Sequence, residues 1–591
     1  MNGLPQSEPG KGQRTIVFVT FETEFAKSGG LGAVMGMLPQ RMAQHEACFT
    51  IAPHFSRITN LGRLAEQNKI RSFSNRASFP LSVGGETYSV ALVEVVGRDG
   101  FRTYLLSAEG FFTAPVDPYT NLRDPTRPMD PYANPILPAR LTEDALFFCA
   151  AVPPALAALK RVDDVVLHLQ DWETACVARA WRLSPDVRPA TCVLTLHNPY
   201  DRYLGGVDSD VAAALISHLR LNEENVLTQM IPLMDGPIST VSETFARELV
   251  RDPLHTQVFA PHLQHLLTDK GVVGVDNGLF GELAFPFSPA ARDQAEQSDF
   301  TAIQQEKWDR RQTLAEVLDA YQRELAQAAD PNREAWGDDL DLSDPWKPVF
   351  LVMGRDDPRQ KGFDVIVEAI RHLPRDSARY IFTPMPGAEG LMGLEFLRRL
   401  ALDRPGEVKV FPFRLSFDAF KALQNGSSYM VMGSLYEPFG AATEAYLAGM
   451  PVVARATGGL VQQVVPYSNV GLSRFGQDLV DSFHSLDDPP TGFLFREPSV
   501  PENVQGWRKI VDCAYWNQEP KGDRIADRRG TALFDGMVSG AAEALGAAIQ
   551  LYVSDQARYA EMIYRGFLML ERFSWERAVS TYRRLYDQAY G

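Results

Sequence analysis

The sequence of 591 residues predicts an α/β protein made of two Rossmann-like domains facing each other across a cleft, and three observations predict it. Buried-strand runs alternate with helical stretches, the pattern of a parallel sheet covered by helices on both faces. The alternation comes as two series, separated by a polar, acidic, helical stretch at about 293–344. The length also exceeds the ~250–300 residues at which a single core stops growing.

The elements follow in order. Residues 1–14 are rich in Gly, Pro and Gln and are expected to be a disordered tail. Residues 15–21 (TIVFVTF) form a strand, and 33–44 have helical spacing. VVLHL at 165–169 leads into a helix at 172–181; CVLTL at 192–196 ends at His197-Asn198-Pro199, where Asn and Pro signal a loop. PISTV at 237–241 leads to a helix capped by Ser242, with Glu243 in its first turn. The second series holds strands at 348–353, 380–383, 408–413, 429–432 and 451–454, with a helix from about Phe363. The end, 555–590, reads as one long or broken amphipathic helix. The expected domains are therefore 15–285 and 286–565, with 566–591 a C-terminal helix.

The bulk numbers exclude several classes. With 58 basic and 74 acidic residues the net charge is −16, which disfavours nucleic acid and anionic membranes as partners. The five cysteines are odd in number and contain no Cys-x-x-Cys pair, so neither a disulfide framework nor a cysteine metal site is expected, and a reducing cytoplasm fits. The first residues lack the apolar core of a signal peptide. No run reaches the ~20 uninterrupted apolar residues of a membrane span.

Ligands of open α/β sheets bind beyond the carboxyl ends of strands, so the chemistry-bearing loops there are the candidate site. Lys27 sits in a glycine turn with Gly29 and Gly30, where a cation and backbone amides suit a diphosphate; a solvated loop lysine is the plain alternative. Arg355 and Lys361 follow a strand and could neutralise a departing diphosphate, which is usually the largest catalytic term. Nearby Asp356, Asp357 and Arg359 are expected to be solvated or paired with one another. Glu437 precedes Pro438, Phe439 and Gly440, and a fixed carboxylate there suits sugar hydroxyls; a carboxylate favoured by a helix N-terminus is the alternative. Glu444 is expected two turns into the same helix, on the same face. Asp171 competes with a helix N-cap role, His168 is expected to pack in the sheet, and Asn277 and Thr457-Gly458-Gly459 stand in turns. No Asp-x-Asp pair occurs in these loops, so no metal site and no cofactor are expected.

In chain order, KSGGLGAV (27–34), LHLQDWETA (167–175), LTLHNPY (194–200), STVSETFARE (239–248), VDNGLF (275–280), GRDDPRQKGFD (354–364), EPFG (437–440), RATGGL (455–460) and FSW (573–575) resemble the signature segments of the bacterial glycogen synthase and plant starch synthase family. The resemblance implies the GT-B fold, with the helix at 566–591 crossing back to the first domain, and a retaining glucosyltransferase of glycogen/starch synthase type. Such an enzyme moves glucose from a nucleoside diphosphate glucose, ADP-glucose favoured over UDP-glucose, to the non-reducing end of an α-1,4-glucan. It implies catalytic roles for His197, Arg355, Lys361 and Glu437. Donor contacts fall to Lys27, Gly29, Gly30, Asn277, Gly440, Glu444, Thr457, Gly458 and Gly459, and acceptor contact to Asp171. The chain departs from the family pattern at Ala33, at Gln170 and Glu173 (each replacing His), at Phe280 (replacing Asp) and at Phe439 (replacing Cys). These departures leave open a small-molecule or other glycan acceptor, and a catalytically impaired glucan-binding regulator. Oligomeric state is not legible.

Overall fold

The computed structural model describes residues 14–590 except 28, 114–139, 329, 331–332, 388 and 519–520. All but one of the residues of the expected tail lie outside this set. Arg14 itself is tied down, donating to Glu46 at 3.0 Å and Asp587 at 2.6 Å.

The chain divides into two units, Met1–Phe280 with Trp575–Gly591, and Gly281–Ser574. These boundaries fall five residues before 285 and nine after 565. The second shift has a plain cause: the expected final helix is broken into Gln556–Met569, a short 3-10 turn and Trp575–Tyr590, and only the last piece belongs to the first unit.

The first unit holds β1 (Thr15–Val19), β2 (Ala47–Pro53), β3 (Ile70–Val83), β4 (Glu86–Gly97), β5 (Arg102–Ala108), β6 (Val165–Gln170), β7 (Thr191–Leu196), β8 (Ile238–Thr240) and β9 (Val272–Gly274). They form one sheet in the order β3-β4-β5-β2-β1-β6-β7-β8-β9. It is parallel from β5 to β9, while β3, β4 and β5 pair antiparallel. The antiparallel edge is absent from the sequence expectation. Alternation along β1 is visible in the packing: Val17 and Val19 join one hydrophobic cluster, Ile16 and Phe18 the other. The helix Arg140–Ala158 covers the first face and Trp575–Tyr590 the second.

The second unit holds β10 (Val349–Arg355), β11 (Arg379–Met385), β12 (Val408–Val410), β13 (Tyr429–Met432), β14 (Val452–Arg455) and β15 (Gly492–Phe495). Their order is β12-β11-β10-β13-β14-β15, all parallel, which is the doubly wound 3-2-1-4-5-6 arrangement. Strand order reverses between β10 and β13 here, and between β1 and β6 in the first unit. Those are the switch points where such sheets bind ligands. The acidic connector is the helix Thr301–Ala328.

Two helices, Arg140–Ala158 and Ala532–Ser554, are long and apolar enough to cross a membrane by length and composition. The expectation that none qualifies counted only uninterrupted apolar runs, and both helices are interrupted by polar residues. Most of the first lies inside its unit, with 78% of its apolar window buried.

Candidate functional site

At the switch point of the second unit, the loop after β10 meets the loop after β13. Lys361 Nζ lies 2.6 Å from Glu437 Oε2, and Ser434 donates to the same carboxylate oxygen at 2.8 Å. The two loops are also joined through their backbones, Leu435 N donating to Gln360 O at 2.6 Å. Gly362 permits this approach. Its φ is +57°, and a Cβ there would stand 2.3 Å from the carbonyl oxygen of Gly433. Arg355 is exposed at the end of β10.

Glu437 is not at a helix start. The helix begins at Ala442, so Glu437 is held by its ion pair and by Ser434 rather than by a helix terminus. Glu444 consequently stands in the first turn of that helix, not two turns beyond Glu437. Its carboxyl accepts from Thr443, and burial, with Glu437 nearby, pushes its pKa up. Phe439 packs edge-on against Phe573, ring centroids 5.8 Å apart, so the family's Cys is replaced by a core-facing ring.

The Thr457-Gly458-Gly459 turn is pressed onto this loop. A Cβ on Gly458 would lie 1.7 Å from Glu437 O, and one on Gly459 2.0 Å from Phe439 O. Gly459 N donates to Glu437 O at 3.1 Å. Both glycines thus have a packing reason to be glycine, and the Gly459 amide is already engaged. Arg455, just upstream, completes the brace: its Nη1 donates to Leu435 O at 2.6 Å and its Nε to Glu497 Oε2 at 2.9 Å. Asp356 is buried and its carboxyl is pushed well up by burial and by Glu389 and Asp357, contrary to the expected solvated or paired state.

At the switch point of the first unit, β6 ends in Gln170-Asp171 and β7 in His197. Asp171 does not cap the following helix with its side chain. Its Oδ1 accepts from His197 N at 2.6 Å and its Oδ2 from Asn198 Nδ2 at 3.1 Å, so it shapes the neighbouring loop. Asp171 holds φ +57° and ψ −179°, a region nearly reserved for glycine, and such strain gathers at functional sites. Burial raises its pKa to about 8, with Glu22 adding to the rise. The ring of His197 meets Gln170 Oε1 at 2.7 Å, and burial lowers its pKa to about 3, so it is neutral at pH 7. His168 packs in the sheet as expected, between Thr195 Oγ1 at 2.7 Å and Tyr586 OH at 2.8 Å.

Glu22 reaches into the glycine turn of the first unit. The amides of Gly29 and Gly32 both donate to Glu22 Oε2, at 3.1 and 3.2 Å, while Lys27 is exposed. Asn277 is buried, and Gly278 lets the chain pass Trp575: a Cβ there would lie 2.4 Å from Trp575 N. Phe280, where the family has Asp, packs edge-on against Trp575. Among the described residues, no group of three or more His, Cys, Asp or Glu is placed to hold a metal ion.

The chain is similar to known proteins over most of its length. Residues 15–268 match the family model described as starch synthase catalytic domain, and 341–480 match glycosyl transferases group 1. A glycogen synthase of Xanthomonas oryzae pv. oryzae is 27% identical over 532 residues, covering 88% of each chain. One of Thermotoga petrophila is 26% identical over 533 residues, covering 86% of this chain and 96% of its own. The catalytic domain of starch synthase IV from Arabidopsis thaliana, bound to ADP and acarbose, superposes with a TM-score of 0.65 at 17% identity over 98% of this chain and 99% of that one. The chain is a glycosyltransferase, similar over most of its length to glycogen and starch synthases. Its fold is GT-B.

Three further residues of this glycosyltransferase carry the site and escaped the sequence reading. Glu22 occupies the glycine turn, Ser434 shares Glu437 with Lys361, and Arg455 ties the Glu437 loop to Glu497. Glu22 lies five residues before Lys27, and Arg455 ends β14 at the head of the RATGGL segment, yet nothing in their spacing marks their partners.

Proposed function

We propose that this enzyme is a retaining glucosyltransferase that moves glucose from a nucleoside diphosphate glucose, with ADP-glucose the favoured donor, to the 4-hydroxyl at the non-reducing end of an α-1,4-glucan. The observation that carries the reading is the Lys361–Glu437 pair at the switch point of the second unit, with Arg355 at the head of the same loop. A cation there can take the charge of the departing diphosphate, and the carboxylate can meet positive charge growing at the anomeric carbon. In a front-face substitution the bond from C1 to the phosphate oxygen breaks. The acceptor oxygen bonds to C1 on the same face, and its proton passes to the leaving phosphate oxygen. No enzymic nucleophile is required.

His197 would contact the transferred glucose as a neutral ring. Glu444 would hydrogen-bond the ribose, Thr457, Gly458 and Gly440 would line the donor, and Lys27, Gly30 and Asn277 would complete it. Asp171 would serve the acceptor side. Transfer needs no metal in this reading. The test is a side-by-side rate measurement with ADP-glucose and UDP-glucose, glycogen as primer; incorporation from neither donor would overturn the proposal.

One observation favours a second reading, a different acceptor. Gln170 and Glu173 stand where the family has His, and Glu173 is a buried carboxyl whose pKa burial and Asp171 push well up. Product analysis on glycogen against a panel of small acceptors separates the two readings.

A further inference from the structure

The loop that carries Arg355 and Lys361 is anchored from far along the chain. Arg528 lies beyond the segment 341–480 that the second family model covers. Its side chain and that of Asp364 are both 0% exposed, with Arg528 Nε 2.8 Å from Asp364 Oδ2. Tyr515 OH donates to the other Asp364 oxygen at 3.1 Å, and the guanidinium lies over the Tyr515 ring, 4.7 Å from its centroid. Arg528 Nη1 donates to the carbonyls of Ile510 and Cys513, both at 2.6 Å, and Nη2 donates to the carbonyl of Pro358 at 2.8 Å.

Pro358 is midway between Arg355 and Lys361, and Asp364 stands in the first turn of the helix Phe363–His372, directly after Lys361. One planar fork therefore fixes the loop on both sides of the lysine. Only guanidinium offers enough donors in a rigid plane to do so. Inside the loop, Gln360 N and Lys361 N donate to Asp357 O at 3.0 and 2.8 Å.

We propose that Arg528 is a positioning residue for glucosyl transfer, holding the Arg355–Lys361 loop so that Lys361 reaches the leaving diphosphate. The proposal rests on the reading of Lys361 as the diphosphate cation. A purely structural buried arginine is available for comparison at the other end of the same helix. Arg404, also buried, donates to the carbonyls of Ile370, Arg371 and Leu373 at 2.8, 3.1 and 2.9 Å and pairs with Glu407 at 3.1 Å.

The experiment compares Arg528→Lys, Arg404→Lys and Lys361→Ala in the full-length enzyme, well below each unfolding midpoint. Both arginine variants should lose thermal stability. Arg528→Lys alone should lose about 10- to 100-fold in kcat with donor KM changed little, since misplacement by about 1 Å costs that much. A kcat for Arg528→Lys within twofold of wild type, or a loss no larger than that of Arg404→Lys, overturns the proposal. Asp364→Asn, which keeps the side-chain shape, covers the case in which Arg528→Lys does not fold. Hydrogen exchange at the Gln360 and Lys361 amides should accelerate in it and not in Arg404→Lys; unchanged exchange counts against the anchor. A silent Lys361→Ala would remove the diphosphate reading, while accelerated exchange would still show the loop to be held through Asp364.

Discussion

The two switch points of this molecule are built from opposite chemistry. In the second unit the loop ends carry Arg355 and a Lys361–Glu437 pair, with backbone hydrogen bonds lashing loop to loop. In the first unit the corresponding loop ends carry Glu22, Asp171, Glu173 and a histidine kept neutral by burial. Cations with a braced loop suit a leaving diphosphate, whereas carboxyls and a neutral ring suit the hydroxyls of an uncharged sugar. Two amides of the glycine turn in the first unit, those of Gly29 and Gly32, are spent on Glu22. On the proposed reading, charge stabilisation falls to the second unit and hydroxyl recognition to the first.

The largest effect should come from breaking the second-unit pair. Glu437→Gln keeps shape and removes charge, and Lys361→Ala removes the cation; each should lower kcat by about 10²–10³-fold. For Glu437→Gln, donor affinity by calorimetry should fall far less than kcat by radiolabelled glucose incorporation, because that contact strengthens only in the transition state. Near wild-type transfer by either variant would invert the comparison.

A smaller effect is expected from the strained corner of the first unit. Asp171→Gly relieves a backbone conformation costing about 1–3 kcal/mol, and loses side-chain hydrogen bonds of similar worth. The melting temperature should move little while kcat/KM falls about 10- to 100-fold, as the His197 loop loses its anchor. Retained activity would reduce Asp171 to a structural turn residue.

Much of this contrast was legible in the sequence, and for a reason. The strand runs PVFLVM, YMVM and CVLTL are apolar because both sheet faces are covered, so they announce their strands and hence the loops that follow them. Gly362, Gly458 and Gly459 mark close approaches, and those too leave a trace in the sequence. The antiparallel strand β3 left only a weak one: after Ile70 its first half is exposed, and the apolar alternation from Ala77 to Val83 is interrupted by Pro80, which speaks against a strand. Partners were equally invisible. Asp364 and Arg528 lie 164 residues apart, Lys361 and Glu437 76 apart, and nothing local in the chain encodes which charge meets which. The cap alternative for Asp171 failed for the same reason, because a cap is a local guess and the observed bonds are tertiary.

A weaker effect sharpens the electrostatic side of the comparison. His168 is fully buried, and burial, with His197 nearby, lowers its pKa to about 3. An unfolded histidine titrates near ~6.5, so the unfolded chain binds the extra proton between those values and stability is lost as pH falls through them. Asp171, raised to about 8, acts in the opposite sense, losing stability as pH rises toward that value. In urea titrations from pH 7 to 4, the stability of wild type relative to His168→Gln should therefore decline with acid, by at most about 1.4 kcal/mol per pH unit. A pH-independent difference would mean that folding leaves the His168 pKa unchanged.

The smallest expected effect is none. Mg²⁺ sites in phosphate-handling enzymes use one or two carboxylates presented together to the metal. The two adjacent aspartate pairs near the strands do not converge. Asp163 pairs with Arg188 at 2.8 Å while Asp164 accepts from Tyr590 at 3.3 Å. Asp356 is buried beside Gly393, while Asp357 accepts from Arg359 N at 3.0 Å. If Arg355 and Lys361 supply the positive charge, transfer should persist unchanged in excess EDTA. It should also respond to added Mg²⁺ no more than to an equal ionic strength of monovalent salt. Loss of turnover on chelation, restored by Mg²⁺ or Mn²⁺, would move charge stabilisation from the Lys361 loop to a metal. The contrast between the two switch points would then have to be drawn again around that ion.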